Sequence, residues 1–474
     1  MADLPADVLA LSIGELGRRL RAKEFSAVEL TRAALDRLET QGRRHNAVAL
    51  LLRDEALRQA RDADDLIKRG RTRNPLLGIP YGAKDLLAYK GQPTTWGARP
   101  FAGQVFQENA RVIDKLKGAG AILTAKLAMI ELAGGTGYER ATASLTGPCL
   151  NPWDRTRWAG GSSSGSAAAI ASGCVPFALG SETCGSILNP SAYCGVTGLR
   201  PTYGLVSRRG AMALAWSLDK VGPLARSVED CAIVLEAISG GDSDDPASAG
   251  KTFYRAPQVA RGPQQLTLGY APVDFDSWAE PPTRSAFAQG LAAMRALGFK
   301  VKEIELPDFP YDELIVATLC GEAASHFEEL IRSPRLDQLN DALMKRSLRT
   351  ALELPAVTYL KAQRIRSLVQ EAMAKIFAEV DLLVTPTYFN VATKVSDPVD
   401  PPQSLPRPKS RGLSDLVAFG NLAGLPALSL PCGLADGLPV GLSLVSRPFT
   451  ENQLVAAGMQ FQASTNWHLQ RPTL

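Results

Sequence analysis

A run of glycine and serine, Gly160-Gly-Ser-Ser-Ser-Gly-Ser166, stands directly before an alanine-rich apolar stretch. Composition of this kind usually marks a flexible linker. Here the flanking sequence forbids that reading. Residues 166–172 form a helix of side chains small enough for close packing, and Val175 to Leu179 is an apolar run of strand length that ends just before Glu182. A glycine–serine turn held between two core elements is a place where backbone must approach something closely. It is not a phosphate loop: no Gly-Lys-Ser/Thr closes it, and the spacing from Gly78 to Lys84 is also wrong for one.

The rest of the chain alternates helical and strand patterns. Helical periodicity runs over residues 11–67, with Ser26 and Glu29 as a capping box and a second helix over 53–67. A short strand over 78–83 places Lys84 near a strand end. A helix over 109–118 and a strand from Ala121 to Thr124 follow, and residues 240–246 are a polar loop. Leu266 to Tyr270, a helix over 283–297 and Lys300 to Leu306 make a βαβ unit. Residues 308–378 are mostly helical, Val380 to Thr385 is a strand, and the proline-rich stretch 391–410 is a loop. Two late strands, Pro426 to Leu430 and Val440 to Val445, flank a glycine-containing turn. The expected fold is α/β, with a large mixed, mainly parallel sheet sandwiched between helices in a single domain over 1–474.

Composition removes several classes of function. Hydrophobic residues make up 45% of the 474, enough for a sizeable core, and 52 basic against 48 acidic residues give a net charge of only +4. No like-charge block suggests a nucleic-acid or membrane footprint, and the basic cluster at 68–73 reads as a solvated loop. Seven cysteines without a Cys-x-x-Cys point to reduced thiols, and three histidines far apart speak against a metal site. The first residues carry acids where a signal peptide carries bases, and no apolar run reaches membrane-spanning length. The expectation is a cytoplasmic protein.

With so few histidines, a hydroxyl nucleophile needs another base, and a lysine with two serines supplies one. Ser186, in Glu182-Thr-Cys-Gly-Ser186, ends the buried strand at a turn that can aim backbone N–H groups at a developing oxyanion, worth roughly 3–4 kcal/mol per donor. The plainer reading makes it a helix N-cap. Lys84 follows apolar and small residues; to serve as a base near neutrality it must fall roughly 3 units, a cost of roughly 4 kcal/mol. The plainer reading is a snorkelling surface lysine beside Asp85.

Together these pieces resemble the amidase signature family. The resemblance rests on Gly78-Ile-Pro-x-x-x-Lys84-Asp, the Gly160 to Ser166 run, and the Ser162 to Ser186 spacing. It extends to Cys194-Gly-Val-Thr-Gly-Leu-Arg200-Pro-Thr-Tyr-Gly204 and Leu218-Asp-Lys-Val-Gly-Pro223. It is strong over 75–235, looser over the tail from Asn421, and slight over 245–375, the stretch that shapes substrate choice in that family. It implies that Ser186 is the acyl-forming nucleophile, Ser162 the proton relay and Lys84 the base, with the N–H groups of Thr183, Cys184, Gly185 and Ser186 as the oxyanion hole. No cofactor is implied, and family habit would make a homodimer. The chain departs from the pattern at Cys184 and Ser164 (usually Gly), Leu188 (usually Arg) and Glu182 (usually Asp). With no arginine from Ile187 to Tyr193, a substrate carboxylate has no local partner. The expected substrate is therefore a small neutral amide, met by Asn189, Ser163 and Tyr138, with no nucleic acid or membrane as partner.

Other readings compete. Gly161-Ser-Ser163-Ser-Gly165 fits a nucleophile elbow, with Ser163 attacking and His326 or His468 as base, in an esterase-like hydrolase. Ser217-Leu-Asp-Lys220 fits a Ser-x-x-Lys pattern without its partner motifs. The family also includes the glutaminase component of a tRNA-dependent amidotransferase, whose glutamine substrate would need a cation for its carboxylate. Last, Cys184 leaves room for a catalytically dead binding protein.

Overall fold

A computed structural model describes residues 4–5, 7–70, 74–400, 412–414 and 416–474. Part of the acidic N-terminus, residues 71–73 of the basic cluster and residues 401–410 of the proline-rich stretch lie outside the described residues. The strands are β1 (Val48–Leu51), β2 (Pro80–Lys84), β3 (Ile122–Leu127), β4 (Leu150–Asn151), β5 (Asp154–Trp158), β6 (Phe177–Glu182), β7 (Thr197–Arg200), β8 (Lys220–Ala225), β9 (Thr267–Tyr270), β10 (Lys300–Glu303), β11 (Leu382–Pro386), β12 (Ala427–Ala435) and β13 (Leu438–Ser446). All but the β4–β5 pair join one 11-stranded sheet in the order β1-β3-β2-β6-β8-β7-β12-β13-β11-β9-β10. The expected mixed sheet is present, with a larger antiparallel share than the sequence pattern suggests. Parallel pairing falls in two blocks, β3-β2-β6 and β11-β9-β10.

Local chemistry explains these elements. Strands β2, β3, β6 and β8 are buried along their whole length, as strands covered on both faces are. The β12–β13 hairpin turns on two residues, Asp436 and Gly437, both at positive φ, which matches the right-handed twist of the flanking strands. The βαβ unit is β9, the helix Arg284–Ala296 and β10 in parallel register. Ser26 and Glu29 close their capping box ahead of the helix Ala27–Arg37. The stretch 308–378 carries the helices Tyr311–His326, Ala342–Ala351 and Ala356–Glu379.

The small-residue helix, Ser164–Ala171, is buried on every side. It runs close against the backbone flanking β1 and β3: a Cβ on Gly165 would lie 2.4 Å from the Ala47 carbonyl oxygen and 2.5 Å from the Ala128 nitrogen. That close approach is what the glycine–serine run is for. Several elements escaped the sequence reading: β1, inside a stretch read as helical, the strands β4, β5, β7 and β8, the helix Leu188–Cys194, which begins just after Ser186, and the helices Val228–Ile238 and Glu451–Ser464.

Candidate active site

Lys84 ends β2 with no exposed surface. Its Nζ lies 2.7 Å from Ser162 Oγ and 2.9 Å from Ser181 Oγ. Burial pushes the amine down to about 7, and the opposing pull of the Asp219 and Glu182 carboxylates does not restore it. The surface-lysine reading fails here. Asp85 gives its carboxylate to Lys126, at 2.8 Å, and to the Thr95 N–H, at 3.0 Å.

The serine turn that meets Lys84 is built by its glycines. Gly160 has φ +82°, and a Cβ there would come within 2.7 Å of Pro190 Cα. Gly161 donates its N–H to Asn189 Oδ1 at 3.1 Å, and the Gly161–Ser162 peptide is cis. The Ser162 carbonyl accepts the Ile130 N–H at 3.2 Å, while Ser163 N–H donates to the Ser186 carbonyl at 3.3 Å, joining the two serine turns.

Ser186 lies in the turn between β6 and the helix Leu188–Cys194. Gly185, at φ +90°, makes the bend. Among the described residues, no acceptor takes the backbone N–H of Thr183, Cys184, Gly185 or Ser186, and all four residues line a cavity of about 630 Å³. Two buried carboxylates hold the turn. Glu182 accepts the N–H groups of Ile187 (2.8 Å) and Leu188 (3.0 Å) and pairs with Arg200 at 2.6 Å, both side chains being fully buried. Burial pushes the Glu182 carboxyl up, but Arg200 outweighs it and holds it below its ordinary value. Asp219 accepts the Thr183 hydroxyl at 2.6 Å and the Leu214 and Ala215 N–H groups. Burial pushes the Cys184 thiol up to about 12, so it stays a neutral thiol. Leu188 packs into an apolar cluster with Val417 and Leu416.

The sequence-derived residues therefore divide. Lys84 meets Ser162, the backbone of Ser163 joins that turn to Ser186, and Ser186 with Thr183, Cys184, Gly185, Tyr138 and Asn189 lines the cavity. Ser163 does not: it is fully buried, and its hydroxyl donates to the Ser181 carbonyl at 3.1 Å. That removes it both as a substrate contact and as an elbow nucleophile. No described histidine faces it, since His326 packs on Trp96 and Phe327, and His468 sits in the short C-terminal turn Trp467–Leu469. The Ser-x-x-Lys reading also separates. Ser217 donates to Glu322 and accepts from Arg366, while Lys220 reaches the Leu218 carbonyl.

Sequence reasoning missed Ser181, Asp219 and Arg200. Ser181 was recoverable. β2 and β6 pair in parallel register, so a polar side chain near the end of one strand neighbours Lys84 at the end of the other.

Comparison with known proteins agrees with this geometry. A family model described as Amidase matches residues 29–455. The chain belongs to that family, the amidase signature enzymes. It is similar to the A component of the glutamyl-tRNA(Gln) amidotransferase of Moorella thermoacetica, at 38% identity over 98% of each chain. Among solved structures it is similar to the peptide amidase of Stenotrophomonas maltophilia (TM-score 0.83, 29% identity, 98% of each chain). It also resembles a chain of a vestigial protein complex bearing on the origins of an s-triazine catabolic enzyme, with TM-score 0.87, 30% identity, and coverage of 96% of this chain and 98% of that one.

Proposed function

We propose that the chain hydrolyses a carboxamide through an acyl-enzyme on Ser186, and the buried Lys84, its amine pushed down to about 7 and its Nζ 2.7 Å from Ser162 Oγ, is the observation that carries this reading. Neutral Lys84 accepts the Ser162 proton as Ser162 accepts the Ser186 proton, and the Ser186 oxygen attacks the amide carbon. The N–H groups of residues 183–186 take the negative charge that forms on the carbonyl oxygen. The proton returns through Ser162 to the departing nitrogen, the C–N bond breaks, and water attacks the ester with the same relay as base.

Two substrate classes compete. The sequence relatives favour the glutaminase component of a tRNA-dependent amidotransferase over a free-standing small-amide amidase, because similarity to such a component runs the full length of the chain. That reading brings an assembly with partner proteins and a tRNA. The cavity favours an amide without an anionic group: none of its described lining residues is a cation to meet a carboxylate. Isolated protein given glutamine and a panel of alkyl, aryl and amino-acid amides separates the two, with released ammonia or amine as readout. Turnover of non-anionic amides well above glutamine supports the cavity; weak glutamine turnover that rises when the partner proteins are added supports the relatives. Under either reading, Ser186→Ala lowers turnover about 10,000-fold or more and abolishes labelling by a fluorophosphonate. Labelling that persists in this variant excludes Ser186 as the nucleophile.

A further inference from the structure

The loop that carries Tyr138 has an unusual backbone. Leu132 (φ +50°) and Ala133 (φ +57°) stand in the left-handed region that side chains avoid, and Gly134, Gly135 and Gly137 follow at +109°, +50° and +132°. A run of this kind keeps its shape only where its surroundings impose it, and such backbone gathers at functional sites. Here the surroundings are two buried carboxylates, each bound to the backbone of the other's segment. Glu131 accepts the Asn340 N–H at 3.0 Å and the Asp341 N–H at 3.4 Å. Asp341 accepts the N–H groups of Glu139 (3.0 Å) and Arg140 (3.1 Å) on Oδ2, while its Oδ1 caps the helix Ala342–Ala351 at the Met344 N–H (2.9 Å). Between these two ends, Thr136 donates its hydroxyl to Ser347 Oγ at 2.7 Å.

This clasp grips the chain on both sides of Tyr138. The Tyr138 ring meets Trp158 edge to face, with centroids 6.2 Å apart. A Cβ on Gly161 would lie 2.6 Å from Trp158 Cζ2 and 3.0 Å from the Tyr138 hydroxyl oxygen, so both rings stand over the turn that leads into Ser162. Tyr138, Trp158 and Ser186 line the same cavity. Aromatic contacts depend on offset and angle, so what these rings gain from a flat substrate group depends on where they are held. We propose that Glu131 and Asp341 are positioning residues for substrate choice: they hold Tyr138 where, together with Trp158, it receives an aromatic part of the substrate beside Ser186. This inference rests on Ser186 acting as the nucleophile and goes further by naming the group that the substrate presents and the residues that select it.

The test uses phenylmethanesulfonyl fluoride and methanesulfonyl fluoride, which differ by one ring and both label a serine nucleophile. Labelling of Ser186 by each is followed by mass spectrometry at pH 8. There the Lys84 amine, at about 7, is mostly uncharged, and the Glu131 carboxyl, pushed up by burial to about 7, is mostly ionised. The ratio of the two rates is compared between variants, so that a general loss of active protein cancels. In Asp341→Ser the hydroxyl still caps the helix, but one short side chain cannot also hold the Glu139 and Arg140 N–H groups. The ring-bearing probe is expected to lose about fivefold relative to the other, and Tyr138→Ala to cause a loss of about the same size. The double variant is expected to lose no more than Tyr138→Ala alone. Thr136→Val, which removes one contact and keeps both carboxylates, is expected to lose about twofold. An unchanged ratio in Asp341→Ser (or in Thr136→Val where Asp341→Ser does not fold), an unchanged ratio in Tyr138→Ala, or losses that multiply in the double variant overturn the inference while leaving Ser186 chemistry standing. Absence of Ser186 labelling by both probes in the wild type overturns both.

Discussion

A lysine amine with no exposed surface is costly. Holding Lys84 at about 7 rather than 10.5 costs about 5 kcal/mol of folding free energy at neutral pH. The folded pKa lies below the unfolded one, so between these values the unfolded chain binds more protons. Stability therefore rises with pH across that window, and the full cost is felt below pH 7. Lys84→Met, similar in length and uncharged, should lower turnover about 1,000-fold, the scale of a lost general base, and raise Tm by a few degrees at pH 7. The Tm gain should shrink as pH rises toward 10. Thermal unfolding followed by circular dichroism at pH 7 and 9.5 checks this; a variant less stable than wild type at pH 7 contradicts it. The residues of this centre were readable from sequence because each stands in a short segment of unusual composition. Ser163 was misread for the same reason: adjacent serines look equivalent in a list, and only the path of the turn sends one hydroxyl to Lys84 and the next to the Ser181 carbonyl.

At the scale of elements, the oxyanion turn depends on what stands behind it. Glu182 joins the end of β6 to the start of the helix Leu188–Cys194 and to Arg200 at the end of β7. Asn421 adds a hydrogen bond to the same carboxylate at 3.2 Å. Glu182→Gln leaves the buried Arg200 without its counter-charge and should cost about 3–5 kcal/mol. It should also slow fluorophosphonate labelling of Ser186, since the one remaining amide oxygen cannot serve both the helix N–H groups and Arg200. Urea denaturation and the labelling rate measure the two effects; a midpoint and a rate both equal to wild type would refute this role. Sequence could not reveal the Glu182–Arg200 pair. The residues are 18 apart in sequence and meet only because β6, β8 and β7 lie side by side in the sheet. The capped helix Ala27–Arg37 and the apolar start of β6 were legible, whereas β7 was too short, and β8, as long as β6, too rich in glycine, proline and charge, to announce themselves.

Across the whole molecule, one sheet gathers strands from residue 48 to residue 446, and a single apolar cluster reaches from Val8 to Phe461. The proposed catalytic groups come from β2, the turn before the helix Ser164–Ala171, and the turn after β6. These elements are neighbours at the sheet's parallel block, where strand ends point the same way. The helix Tyr311–His326 bounds the cavity from the other side and supplies Asp312 and Leu319. The proposed chemistry and the cavity's far wall thus sit on different parts of the chain, which is why motif-rich segments pointed to the family and said little about the substrate. Among the described residues no helix is long and apolar enough to cross a membrane.

The central claim is that an uncharged Lys84 drives acylation of Ser186. The most direct measurement is the rate of Ser186 labelling by a fluorophosphonate as a function of pH, with circular dichroism confirming an intact fold throughout. The account predicts a rate that climbs from pH 6 to pH 8 with a midpoint near 7, and a flat, slow profile in Lys84→Met. A wild-type rate that is level across that range, or that falls between pH 7 and pH 9, would contradict it.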